Sequence, residues 1–108
     1  LYIAVRADLT PGQQLAQSVH AAFQFSVEHP ELAKSWHTLS NYLVVVAVRD
    51  ENELVSLWAR AYDKHLMMSY VREPDYDNQV TALALEPGDI ARRLCSQYPL
   101  ALKEKAVV

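Results

Sequence analysis

One hundred and eight residues, 51% hydrophobic and 21% charged, suffice for one domain with its own core, residues 1–108, and are too few for two. That balance excludes a disordered chain, and no apolar run approaches the roughly 20 residues that span a bilayer. The formal charge of −3, from ten Lys plus Arg against thirteen Asp plus Glu, gives no whole-chain basic footprint for gripping a phosphate backbone, although a local patch stays open.

Leu1–Val5 reads as a strand apolar on both faces, as a central strand is. It is entered directly, with no initiator methionine and no secretory-signal pattern, which leaves open whether residues precede it. Thr10 and Pro11 start a helix, with Thr as N-cap and proline at the first helical position. Leu15, Val19, Ala22, Phe23 and Val27, with Ala16 beside them, recur at helical spacing and predict one apolar face about four turns long. His29-Pro30 interrupts that helix, because the residue before proline is pushed out of the α region. Glu31–Leu39 is a second, shorter helix carrying Leu32, Trp36 and Leu39.

Ser40-Asn41 turns into Tyr42–Val48, the strongest strand signal, whose β-branched run predicts burial on both faces. Asp50 caps the next helix, and Glu53 completes a capping-box-like pattern. Leu54, Leu57, Trp58 and Ala61 line one side of that helix as far as about Lys64. Leu66–Val71 predicts a third strand, Arg72–Asn78 a polar loop and Val80–Leu85 a fourth strand. Pro87-Gly88-Asp89 opens a last helix through about Tyr98, and Lys103–Val108 reads as a short loose tail. Trp36 and Trp58 read as core, although exposure of either would mark a dimer surface. The order β-α-α-β-α-β-β-α predicts an α/β fold, a mixed four-stranded sheet with helices on both faces. Its crossovers are right-handed and parallel, and the last two strands are free to pair antiparallel.

Generic motifs identify no reaction. With only two glycines, Gly12 and Gly88, there is no Gly-rich phosphate loop. His29 and His37 fall on different elements and read as surface histidines rather than zinc ligands. No nucleophile elbow supports a Ser-His-Asp site. Neither a metal nor a cofactor is expected. The single cysteine, Cys95, excludes an internal disulfide, fits a reducing and cytoplasmic compartment, and reads as a small buried apolar group. A polar cluster does collect at the C-terminal end of the first strand. Arg6 and Asp8 leave the strand, Gln13, Gln14 and Gln17 line the helix start, and His20 follows Gln17 on the same helix side. Ligand crevices in open α/β sheets lie beyond the carboxyl ends of parallel strands, where a helix N-terminus offers free N–H groups. Spacing alone reads His20 as a helix histidine bonded to a backbone carbonyl.

The run Val5-Arg6-Ala7-Asp8-Leu9, then Gly12, then Ala16-Gln17-Ser18-Val19-His20-Ala21-Ala22 resembles the N-terminal signature of type 2 peptidyl-tRNA hydrolases. Val44-Val45-Val46, followed by Asp50-Glu51 and Glu53-Leu54, is similar to that family's second strand and acidic helix start. Thr81-Ala82-Leu83-Ala84-Leu85-Glu86-Pro87 resembles its last strand. The resemblance covers most of the chain. It implies a homodimer that hydrolyses, without a metal, the ester joining a peptide to the 3′ ribose of tRNA, so peptidyl-tRNA is the partner it implies. Carried over residue by residue, it assigns catalytic roles to His20, Glu73 and Thr81 and substrate binding to Arg6, Asp8, Gln13, Gln14 and Gln17.

Two departures stand out. Gln13 and Gln14 follow Gly12 where the family's turn bears lysines, and the loop from Glu73 to Thr81 is shorter, with Glu73-Pro74-Asp75 replacing Asp-Ala-Gly. Both resemble the family's divergent, domain-containing relatives. Two readings follow. In one, the chain is a peptidyl-tRNA hydrolase in which glutamine amides replace ammonium donors and Glu73 acts as base toward water. In the other it is a catalytically impaired relative, a dimeric interaction or RNA-end-binding module, since one lost oxyanion donor costs roughly 10²–10³ in rate. On structural grounds alone Glu73 also reads as a solvated loop carboxylate and Thr81 as a strand filler.

Overall fold

Continuous apolar runs at both ends of the chain pair in the middle of one sheet. The computed structural model describes residues 1–103, so the predicted tail lies outside the described residues from position 104 onward. In chain order come β1 (Tyr2–Arg6), α1 (Pro11–Glu28), α2 (Pro30–Leu39), β2 (Val44–Val48), α3 (Glu51–Asp63), β3 (Met68–Glu73), a 3-10 turn (Pro74–Tyr76), β4 (Gln79–Leu85) and α4 (Asp89–Cys95). The sheet order is β2-β1-β4-β3. β1 runs parallel to β2 and antiparallel to β4, and β4 is antiparallel to β3. The fold is therefore α/β with a mixed four-stranded sheet, as the element order predicts.

Successive strand residues face opposite sides, and each side of the sheet has its own core. Ile3, Val5, Ala82 and Ala84 pack with Ala21 and Phe25 of α1 and with Leu32, Ala33 and Trp36 of α2. Tyr2, Ala4, Leu83 and Leu85 pack with Leu54, Leu57 and Ala61 of α3 and with Ala91 and Cys95 of α4. Burying a side chain such as Phe25 or Leu57, both fully enclosed, stabilises by about 1.5–3 kcal/mol each. Local signals set the helix limits. The Thr10 hydroxyl accepts from Gln13 N–H while the Gln13 side chain accepts from Thr10 N–H, a reciprocal cap. Pro30 ends α1 and starts α2, and Asp50 caps α3 by accepting from Glu53 N–H.

Three expectations are corrected. β2 is an edge strand and only half-buried, not enclosed on both faces. Its outer edge is covered by the chain after α4, where Ala47 N–H donates to the Pro99 carbonyl and Ala101 N–H to the Val45 carbonyl. The apolar face predicted for α1 points to solvent: Leu15, Val19, Phe23 and Val27 are 60–72% exposed. Gln14, Gln17, Ala21 and Phe25 turn inward instead. Small Ala21 lets the helix approach the sheet, and both glutamines find partners there. Finally, β3 starts later than predicted and runs on to Glu73, which therefore ends a strand instead of lying in a loop.

Candidate active site

The pairing of β3 with β4 is broken at one point. Val71 lies opposite Ala82, yet Arg72 lies opposite Val80, so Thr81 is an extra residue on β4. Such a bulge re-aims side chains and bends its strand. Val80 packs toward α3 with Leu83, while Thr81 is turned toward α1. There its hydroxyl donates to Gln17 Oε1 at 2.6 Å, with a longer 3.4 Å contact to the Val71 carbonyl. Arg6 and Glu51 hold the bulge from the other side. Val80 N–H donates to Glu51 Oε2 at 2.7 Å, and Arg6 Nη1 reaches both the Val80 carbonyl and Gln79 Oε1.

The bond from Thr81 fixes which way the Gln17 amide faces. With Oε1 occupied, Nε2 points at Glu73 and donates to Oε2 at 3.2 Å. Glu73 Oε1 accepts from Asp75 N–H across the 3-10 turn. Thr81 and Gln17 are buried while Glu73 is half-buried, so the relay runs from the interior to a surface carboxylate. Glu73 opens into a depression of about 260 Å³ that is also lined by His20, Phe23, Gln24, Val71 and Arg72. His20 is exposed and among the described residues its ring makes no hydrogen bond, so it is not the carbonyl-bonded histidine that spacing suggests.

The remaining expected residues serve the chain itself. Arg6 and Asp8 form a two-pronged ion pair at 2.8–2.9 Å. The Arg6 guanidinium, by its hydrogen bonds, holds the Asp8 carboxyl below the usual aspartate range. Gln13 is used in the α1 cap. Gln14 Nε2 donates to the Leu9 carbonyl at 2.8 Å and weakly to that of Ala7, tying the β1–α1 turn to the helix. The predicted residues thus divide in two. Gln17, His20, Glu73 and Thr81 come together, whereas Arg6, Asp8, Gln13 and Gln14 brace the turn and the bulge.

Two residues were missed by sequence reasoning. Arg72 brings a guanidinium to the depression, and its position directly before Glu73 was the available signal. Glu51 anchors Val80 from α3, and nothing in its spacing points to β4. Chemically, the depression offers a carboxylate able to accept a proton, a free imidazole and a cation. Among the described residues no cluster of His, Cys, Asp or Glu could hold a metal ion, and no helix is long and apolar enough to cross a membrane.

A family model described as peptidyl-tRNA hydrolase PTH2 matches residues 1–96. No curated protein matches the chain. The family match takes in every strand and helix of the sheet, including the bulge and all the residues that meet around Gln17. The chain belongs to the PTH2 family of peptidyl-tRNA hydrolases.

Proposed function

We propose that this chain hydrolyses the ester between a peptidyl group and the 3′ end of tRNA, with Glu73 as the base toward water. The observation that carries this reading is the Thr81–Gln17–Glu73 relay, which ends on a carboxylate in an accessible depression. A water beside Glu73 gives up a proton as its oxygen adds to the acyl carbon. The acyl C–O bond then breaks, and the ribose oxygen takes a proton from Glu73 or His20. Arg72 is the cation placed to oppose the developing oxyanion. Thr81 is fully buried, so it acts through Gln17 as a positioning residue.

Peptidyl-tRNA cleavage by the purified protein tests this, beside Glu73→Gln and His20→Ala. Loss of the base is expected to slow cleavage by roughly 10²–10⁴. Buffer-level cleavage by the unmutated protein would sink the proposal, and activity surviving both substitutions would show the site to be elsewhere.

A second reading, a dimeric interaction or RNA-end-binding module without turnover, is favoured by one observation. Gln14 uses its amide N–H on the Leu9 carbonyl and Gln13 Oε1 is held in the α1 cap, which leaves the uncharged Gln13 Nε2 as the one glutamine donor in place of the lysines of the family turn. This reading expects tRNA binding with no cleavage. For the homodimer, the supporting feature is the solvent-facing stripe on α1, Leu15, Val19, Phe23 and Val27. From Pro11 to Val27 the one ionisable side chain is His20, so two copies of this helix can meet without burying charge. A cytoplasmic setting suits the unpaired Cys95.

A further inference from the structure

β3 has one sheet partner, β4, and is the other edge of the sheet. In an antiparallel ladder successive residues direct their backbone groups to opposite edges. The carbonyls of Met67, Val71 and Glu73 lie on the β4 side, accepting from Glu86 N–H, the Thr81 hydroxyl and Asn78 N–H respectively. Met68, Tyr70 and Arg72 therefore present their backbone groups outward. His29 Nε2 meets the Met68 carbonyl at 2.9 Å. Among the described residues nothing meets the backbone N–H or C=O of Tyr70 or Arg72.

A depression flanks this open stretch on each face of the sheet. On the α1 side is the candidate active site, about 260 Å³. On the α3 side is an apolar groove of about 310 Å³, walled by Leu54, Val55, Trp58, Tyr70 and Leu83. Arg72 lines both. An extended chain laid along β3 would therefore send alternate side chains toward the two depressions. The strand ends at Glu73, so the edge leads directly to the carboxylate.

We propose that the Tyr70–Arg72 edge binds the peptidyl part of the substrate as an added strand parallel to β3, its C-terminal ester arriving at Glu73. This rests on the hydrolase reading and extends it. Strand addition takes its affinity from main-chain hydrogen bonds and uses side-chain pockets only as a secondary filter. That is the recognition a hydrolase needs when the peptide varies in sequence. The open stretch is about 10 Å long, enough for roughly three peptide residues.

The test uses one tRNA esterified with N-acetylated acyl groups of one to four residues, with KM and kcat measured separately. Each backbone hydrogen bond is worth a factor of about 2–10 in equilibrium. The unmutated protein is expected to show a KM that falls roughly 5–50-fold from one residue to three and then levels. Tyr70→Pro removes an outward N–H and leaves the β4 ladder intact, which an edge strand tolerates. It should abolish the length dependence while still cleaving the one-residue ester, whereas Tyr70→Ala should keep it. A KM independent of peptide length in the unmutated protein overturns the inference and leaves the hydrolase reading standing.

No cleavage of any ester defeats the hydrolase reading instead. N-acetyl-trialanine amide, followed by NMR, then decides the edge by itself and does so equally if Tyr70→Pro fails to fold. Shifts at the Tyr70 and Arg72 amides uphold a peptide-binding edge, and their absence overturns it. Sedimentation showing that Tyr70→Pro alone turns a dimer into a monomer would mean that the edge pairs with a second copy, which also overturns the inference.

Discussion

Replacing Thr81 by valine keeps the volume and branching of a fully buried side chain and removes one hydroxyl. The loss has two parts. The 2.6 Å bond to Gln17 Oε1 disappears, and that oxygen, on a residue only 5% exposed, is left without a donor. An unsatisfied buried acceptor costs about 1–3 kcal/mol, and each kcal/mol lowers the melting temperature of a domain of this size by about 4–8 °C. A fall of roughly 5–20 °C is expected for Thr81→Val, read by thermal denaturation followed by circular dichroism. Combining it with Gln17→Leu replaces the pair by apolar groups, so the double variant should lose less than the sum of the singles, with a coupling of about 0.5–3 kcal/mol. With the amide of Gln17 no longer fixed, Thr81→Val should also lower kcat for ester cleavage more than it raises KM. A Thr81→Val protein melting within about 1 °C of the unmutated one, with unchanged kcat, would refute the relay as an energetic unit.

Other consequences follow from the same contacts. Asp8 is held below the usual aspartate range by Arg6, so its folded value lies under its unfolded one. The stability it contributes is full above about pH 4 and lost as pH falls through the folded value. Urea unfolding should therefore separate Asp8→Asn from the unmutated protein at neutral pH and bring the two together in acid, and curves that stay parallel down to pH 2 would refute this. Burial pushes the Cys95 thiol up to about 11, so iodoacetamide at pH 8 should leave the folded protein unlabelled and label it fully in denaturant; fast native labelling would contradict the packing. Phe23→Glu on the exposed stripe of α1 should convert a dimer to a monomer in sedimentation with little change in melting, whereas an unaffected dimer would exclude that face.

The punctuation of the fold was readable from local chemistry. Thr10-Pro11, His29-Pro30 and Asp50 each mark a helix boundary through capping or proline geometry, and the structure uses all three. The inward face of α1 was not readable, because the helix carries two stripes of the same period. One is apolar and exposed; the other mixes Gln14 and Gln17 with Ala21 and Phe25 and is buried. Periodicity cannot choose between them when glutamines are satisfied by a turn carbonyl on one side and by Glu73 and Thr81 on the other. The bulge at Thr81 was equally hidden, since it arises from the register between β3 and β4 and no glycine marks it. Gln17 was visible in the polar cluster after the first strand and Glu73 was found through resemblance, while Arg72 was passed over as loop although its strand carries it to the depression.

The central place of β1 has a consequence for how the molecule comes into being. Tyr2 pairs with Val44 on one side and with Leu85 on the other, so the first of the sheet's four strands in chain order waits for the last. Until β4 emerges, β1 has one neighbour and an open edge, and the contacts that close it span most of the chain, which makes closure slow. The hydrogen bonds from Arg6 to Gln79 and from Thr81 to Gln17 form only at that same final step. The relay to Glu73 is thus assembled by the closing of the sheet, and a chain that stops short of β4 carries no such relay.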